Sequence, residues 1–227
     1  MAPAIHLRSV VVIAGRFPVL AGVDLDLDEG SVCAVLGANG AGKTSLLRLL
    51  AGLVPVEGGQ ATILGHDLAT DRQALRHKVG LLGHDAGMYE ELFPKENLVF
   101  ALRAARLDPR RAEPALERVG IQGRLARTPV GQLSAGQQRR VGLALLLARR
   151  PQVWLLDEPH AALDSEARTL LCELVEEAAV GGAIVVATSH EPNLVLPMAD
   201  CVITMAGGVI FDNQPGLRRT PGASHVA

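Results

Sequence analysis

The run Gly37-Ala38-Asn39-Gly40-Ala41-Gly42-Lys43-Thr44 satisfies the pattern Gly-x-x-x-x-Gly-Lys-Thr, and no other stretch of the chain restricts its fold as tightly. Glycines at this spacing let successive backbone N–H groups curl around an anion, while Lys43 and Thr44 reach terminal phosphates and a divalent cation. Such a loop needs a buried strand in front of it and a helix behind. Residues 31–36 supply the apolar strand, and residues 44–51, with Ser45 on the first turn, supply a helix whose positive amino end points at the phosphates. The implied class is α/β, a sheet with crossover helices.

The rest of the chain bounds what surrounds that loop. With 227 residues, 48% of them hydrophobic, there is enough apolar surface for one compact domain and room for a small subdomain. Twenty-two Lys and Arg against 24 Asp and Glu leave a net charge of -2, so nothing global favours a nucleic-acid partner, and none is expected. The pairs Arg139-Arg140 and Arg149-Arg150 read as solvated helix faces. Three cysteines, Cys33, Cys172 and Cys201, show no CxxC spacing. Cys33 and Cys201 lie in apolar, strand-like runs, which suits buried thiols in a reducing cytoplasm. The apolar stretch 141–148 is far short of the ~20 residues that cross a bilayer. Residues 9–14, bracketed by Arg8 and Arg16, read as a strand and not as a signal peptide.

After a strand at 79–82, helical signals dominate, including Asp108 as an N-cap ahead of Pro109. Residues 84–148 are therefore expected to form an inserted helical subdomain, with 5–83 and 149–211 as the core. Leu170, Leu171, Leu174, Val175 and Ala178 recur at helical spacing and should pack a helix over 165–179 onto the sheet. Gly181-Gly182 ends it, residues 183–188 form a further buried strand, and residues 212–227 are expected to be a mobile tail.

A phosphate loop alone leaves kinases, GTPases and helicases open, since all need the same cradle. Two more runs narrow this. Ser134, within Leu133-Ser134-Ala135-Gly136-Gln137, can cap a long helix, so that its hydroxyl and the amides of the following turn face an anion; an ordinary capped helix is the plainer reading. Residues 153–156 are four apolar residues ahead of Asp157 and Glu158, which suits a buried strand delivering two acids at its carboxyl edge.

Taken together, the phosphate loop, the Leu133–Gln137 run and Asp157-Glu158 resemble the signatures of ATP-binding cassette (ABC) ATPases, with Ala135 where glycine is commoner. The resemblance implies an ABC-type P-loop NTPase (RecA-like) core carrying an inserted α-helical subdomain and an antiparallel β subdomain. It implies ATP and Mg2+ as ligands, held by the loop residues Gly37, Ala38, Asn39, Gly40, Ala41, Gly42, Lys43, Thr44 and Ser45. Thr44 and Asp157 would hold the metal, Glu158 would polarise the attacking water, and His190 would be the switch histidine beside the terminal phosphate, with Lys43 completing the catalytic set. Ser134, Gly136 and Gln137 would act on the nucleotide of a second cassette, and Asp164 would either organise contacts across that pair or cap the next helix.

Two departures stand out. The glutamine of the generic cassette is replaced by His84, which either reaches the metal, directly or through a water, or is a surface residue. Ala14 stands where an aromatic ring usually stacks on adenine; Phe17 is near enough to substitute but reads first as a core side chain. Both departures, with Leu82-Gly83-His84, Glu96-Asn97-Leu98 and residues 133–141, resemble the ATP-binding subunits of heme exporters in cytochrome c maturation. That resemblance implies a homodimer working with integral membrane permease subunits, peripheral to the cytoplasmic side of the membrane; the groove at residues 84–97 is the expected docking face, because it lies between the core and the helical subdomain. Cassettes of other exporters, a soluble ABC ATPase of DNA repair or the ribosome, and a non-hydrolysing regulatory module are the competing readings.

Overall fold

The computed structural model describes residues 3–83 and 87–217. From the amino end the chain runs β1 (Ile5–Ala14), β2 (Phe17–Leu27), β3 (Val32–Leu36), α1 (Lys43–Leu50), β4 (Gly58–Ile63), β5 (His66–Asp67), β6 (Val79–Leu82), α2 (Pro94–Ala104), α3 (Ala112–Arg118), α4 (Ala135–Arg149), β7 (Val153–Asp157), α5 (Ser165–Val180), β8 (Ile184–Ser189), α6 (Pro192–Val195), β9 (Cys201–Ala206) and β10 (Val209–Pro215).

The strands form two sheets. A four-stranded antiparallel sheet has the order β2-β1-β4-β5, and a six-stranded sheet has the order β10-β9-β3-β8-β7-β6. Within the larger sheet, β9, β3, β8, β7 and β6 are parallel, and β10 closes one edge antiparallel to β9. Every residue of β7 and β8 is buried, which is why these strands read as unbroken apolar runs with no alternation.

Side chains divide between the two faces by the period of two. Val32, Ala34, Trp154, Leu156, Val185 and Ala187 pack with α3, α4 and α5, whereas Cys33, Val35, Val153, Leu155, Ile184 and Val186 pack with α1 and the antiparallel sheet. The parallel sheet is thus the middle of three layers.

Local chemistry sets the helix limits. Asp108 accepts from the Arg110 N–H at 2.9 Å and starts a 3-10 turn, Pro109–Arg111, that leads into α3. α4 opens on a capping box in which Ser134 Oγ accepts from the Gln137 N–H at 3.3 Å and Gln137 Oε1 accepts from the Ser134 N–H at 2.9 Å. α5 buries Ala167, Leu171, Leu174, Val175 and Ala179 and ends where Gly182 (φ 89°) turns left-handed. There Ala183 N–H donates to Ala178 O and Gly182 N–H to Ala179 O, a Schellman closure.

Residues 212–215 depart from expectation. They pair with β9 as the end of β10, and Gly216 N–H donates to Asp200 O at 2.7 Å, so the assigned tail begins inside the sheet. The polar residues Asp212, Asn213 and Gln214 hid an edge strand, which need bury only one side.

Candidate nucleotide site

β3, β7 and β8 end side by side, with Leu36 opposite Ser189 and Asp157 opposite Thr188 in the parallel register. Their carboxyl ends therefore deliver the phosphate loop, the two acids and His190 to one edge, where open α/β sheets bind ligands. Gly37 (φ 152°) and Gly42 (φ 107°) cannot carry a side chain here. A Cβ on Gly37 would lie 2.5 Å from Met205 O, and one on Gly42 would lie 3.0 Å from Val19 O. Gly42 caps α1 without any side-chain hydrogen bond, so the first N–H groups of that helix are left for an anion.

Lys43 is 7% exposed and curls back over the loop, donating from Nζ to Gly37 O at 2.7 Å and Ala38 O at 3.3 Å. The same Nζ lies 3.8 Å from Glu158 Oε1. Thr44 donates its hydroxyl to Asp157 Oδ2 at 2.9 Å. Thr188 Oγ1 donates to Asp157 Oδ1 at 2.6 Å and accepts the Glu158 N–H at 3.0 Å, fixing both acids from β8. Glu158 itself sits at φ 48°, and its Oε2 shares a hydrogen bond with His190 Nδ1 at 3.0 Å. The carboxylate is thus held between an ammonium and an imidazole, and both contacts keep it directed into the site.

A cavity of about 660 Å³ covers this edge, lined by loop residues 38–45, Asp157, Glu158, Pro18, Val19 and the Gly207-Gly208 turn. A second cavity of about 840 Å³ lies at the amino ends of the strands, against Pro151, Gln152 and Ala183, and includes none of these groups. The chemistry, not the volume, marks the first as the site. Among the described residues no group of three or more His, Cys, Asp or Glu could hold a metal. The Thr44 hydroxyl beside the Asp157 carboxylate is an all-oxygen pair suited to a hard divalent cation whose remaining ligands are phosphate and water oxygens.

The structure brings Lys43, Thr44, Asp157, Glu158 and His190 together but leaves Ser134, Gly136 and Gln137 outside the cavity. Gly136 instead packs against Ala162 O so closely that a Cβ would collide with it. Asp164 caps α5, accepting from the Ala167 N–H at 2.8 Å. His84 lies outside the described residues.

Three residues differ from their sequence reading. Arg139, expected on a solvated face, is 6% exposed. Its guanidinium donates to Gly83 O at 2.5 Å, Asp157 O at 3.0 Å and Glu158 O at 2.6 Å, tying α4 to the ends of β6 and β7. Burial lowers its pKa, while Asp157 and Glu158 oppose that shift. Arg149, likewise assigned to solvent, donates to Arg76 O at 2.9 Å, and burial lowers its pKa as well. Phe17, read first as core, is 76% exposed and adjoins Pro18 at the cavity. His160, which carries no role in the sequence reading, is buried; neither ring nitrogen has a partner among the described residues, and burial with Arg168 and Arg139 nearby lowers its pKa to about 4.

Residues 20–161 match the family model described as ABC transporter. The chain belongs to the ABC transporter family. Within it, this is an ATP-binding subunit of the ATP-hydrolysing cassette type. It is 40% identical over 185 residues to the Cytochrome c biogenesis ATP-binding export protein CcmA of Rhodopseudomonas palustris (strain BisB18), covering 82% of this chain and 90% of the relative. The CcmA of Methylococcus capsulatus is 41% identical over 180 residues, covering 78% and 86%. Among solved structures, the dimeric post-hydrolysis state of the ATP-binding cassette MJ0796 bound to ADP and Pi superposes with a TM-score of 0.83 at 26% identity, covering 95% of this chain and all of that one.

Proposed function

We propose that this cassette binds MgATP at the Gly37–Thr44 loop, hydrolyses it within a pair of copies, and drives a heme exporter-type complex of cytochrome c biogenesis. The observation that carries the catalytic part is the Glu158 carboxylate poised between Lys43 and His190. Glu158 takes a proton from the attacking water as that oxygen bonds to the terminal phosphorus and the bond to the bridging oxygen breaks. His190 orients Glu158 and the water, while Lys43 and the α1 amides offset the charge that grows on the phosphoryl oxygens. Thr44 and Asp157 would hold Mg2+, which neutralises phosphate charge when bound. Phe17 offers a ring to the adenine in place of Ala14.

Ser134, Gly136 and Gln137 serve the nucleotide of the partner copy, and Asp164 follows two residues after Ala162, whose carbonyl abuts Gly136. Their exclusion from the cavity of their own chain, together with the dimeric MJ0796 cassette, supports that reading. The export assignment is supported by the two CcmA relatives, each spanned over most of its length. No helix among the described residues is long and apolar enough to cross a membrane. In the export reading the cassette works against separate permease subunits, peripheral to the membrane on its cytoplasmic side.

The test is complementation of a strain lacking its own export cassette. Wild-type protein should restore covalently hemylated c-type cytochromes and co-purify with membrane subunits, and Glu158→Gln should do only the second. Full cytochrome maturation by Glu158→Gln would overturn the proposal.

A further inference from the structure

Cys33 on β3 and Cys201 on β9 are direct partners in the parallel register. Both are free thiols on the same face of the sheet, Cys33 fully buried and Cys201 half-buried against the same apolar cluster. Neighbouring strands lie ~4.8 Å apart, within the Cα separation of roughly 4.4–6.8 Å that a disulfide spans. The thiols also sense each other. A hydrogen bond to Cys201, then burial, pushes the Cys33 thiol up, and the same hydrogen bond from Cys33 lowers Cys201. Burial and Asp200 oppose the lowering at Cys201, and it is as the more accessible sulfur that Cys201 meets an oxidant first.

Both strands frame the nucleotide cavity. β3 leads from Cys33 directly into Gly37, and β9 leads from Cys201 to Met205, whose carbonyl abuts Gly37, and on to the Gly207-Gly208 turn in the cavity wall. Gly208 N–H also donates to Ala41 O at 3.0 Å, so loop and turn are joined.

We propose that Cys33 and Cys201 are a redox-active dithiol which a hydroperoxide converts to a cross-strand disulfide, locking the strand that delivers the phosphate loop to its neighbour. The Cys201 thiolate attacks the distal peroxide oxygen, the O–O bond breaks, and the alkoxide or hydroxide leaves to be protonated. The Cys33 sulfur then displaces hydroxide from the Cys201 sulfenic acid; that hydroxide leaves as water with the Cys33 proton. Two thiols give up two electrons, and the peroxide is reduced to water and an alcohol, or to two waters when it is hydrogen peroxide. Gly37 lies so near Met205 O that a Cβ there would collide, so the change in side-chain and strand geometry that the bond imposes on the β3–β9 pair is passed to the loop and weakens nucleotide binding. The bond reopens with a dithiol. The thiol chemistry is independent of the export reading, while its effect on affinity rests on the assignment of the loop to ATP.

The experiment treats the full chain, in a Cys172→Ser background, with hydrogen peroxide, and follows peptide mapping and ATP affinity before oxidation, after it, and after dithiothreitol. The expected result is a Cys33–Cys201 linked peptide with ATP affinity reduced about tenfold or more, restored by dithiothreitol, and both changes absent in Cys201→Ser and Cys201→Ala. Oxidation of Cys201 to sulfinic acid without linkage to Cys33, or a linked protein with unaltered ATP affinity, would overturn the proposal. A reduced protein that failed to bind ATP would instead reject the nucleotide assignment, and the linked peptide alone would then decide the thiol chemistry.

Discussion

α1 and α4 both begin with backbone N–H groups turned outward, yet the chain surrounds one helix start and leaves the other bare. At α1 no side chain caps the helix, and Lys43, Thr44, Asp157 and Glu158 close around the exposed amides. At α4 the exposed Ser134 and the Gln137 side chain satisfy the end between themselves, and neither lines the cavity. The dipoles are alike, so the difference lies in what is placed around them. A helix end can hold an anion by itself, but it hydrolyses nothing without a cation and an acid fixed nearby.

The largest effect that could break this contrast is at Glu158. Glu158→Gln should lower steady-state ATP turnover by about 10²–10⁴-fold with nucleotide affinity nearly retained. Undiminished turnover would mean that the enclosed end is no more catalytic than the bare one. Next comes the tether between the two helix starts. Arg139→Met removes the donor shared by three carbonyls, of which Glu158 O keeps only the Ala161 N–H, and should cost about 3 kcal/mol of stability, read as a lower midpoint in urea unfolding; a shift below about 0.5 kcal/mol would remove the tether from the account.

A third test uses acidity. His160 has a folded pKa of about 4, below its ordinary value, so the unfolded chain binds the proton more readily. Its contribution is complete above about pH 6.5 and drains as pH falls towards 4, by at most about 3 kcal/mol. Urea midpoints at pH 7, 6 and 5 should fall less steeply for His160→Gln than for the parent, and parallel slopes would refute the assignment. The smallest effect belongs to the bare end. Ser134→Ala should cost about 1 kcal/mol of stability as a lost cap. If α4 serves a partner's nucleotide, turnover of the assembled pair should drop by more than that loss accounts for. A drop no larger would reduce Ser134 to a cap.

What could be read from the sequence was what local spacing controls. Gly37, Gly42, Lys43, Thr44, Asp157 and Glu158 announced themselves because a phosphate cradle and a strand-end acid pair need neighbours in the chain. The α5 stripe and its Gly181-Gly182 stop were legible for the same reason. Arg139 was not, because an arginine on a helix looks solvated until three carbonyls from other elements are known to converge on it. Phe17 was read first as core because its residue type favours burial, although it stands exposed beside the hairpin turn where Ala14 pairs with it. The pairing of Cys33 with Cys201 depends on strand order, which composition does not encode.

The Arg139 tether has one more consequence. A guanidinium keeps its charge at any acidity a cell reaches, even where burial weakens its hold on the proton. The joint between the helical layer and the acid pair therefore works as a fixed strut, indifferent to changes that would unsettle a histidine or a carboxylate in the same place. Whatever moves α4 is passed to Asp157 and Glu158 with the same stiffness in acid as in base.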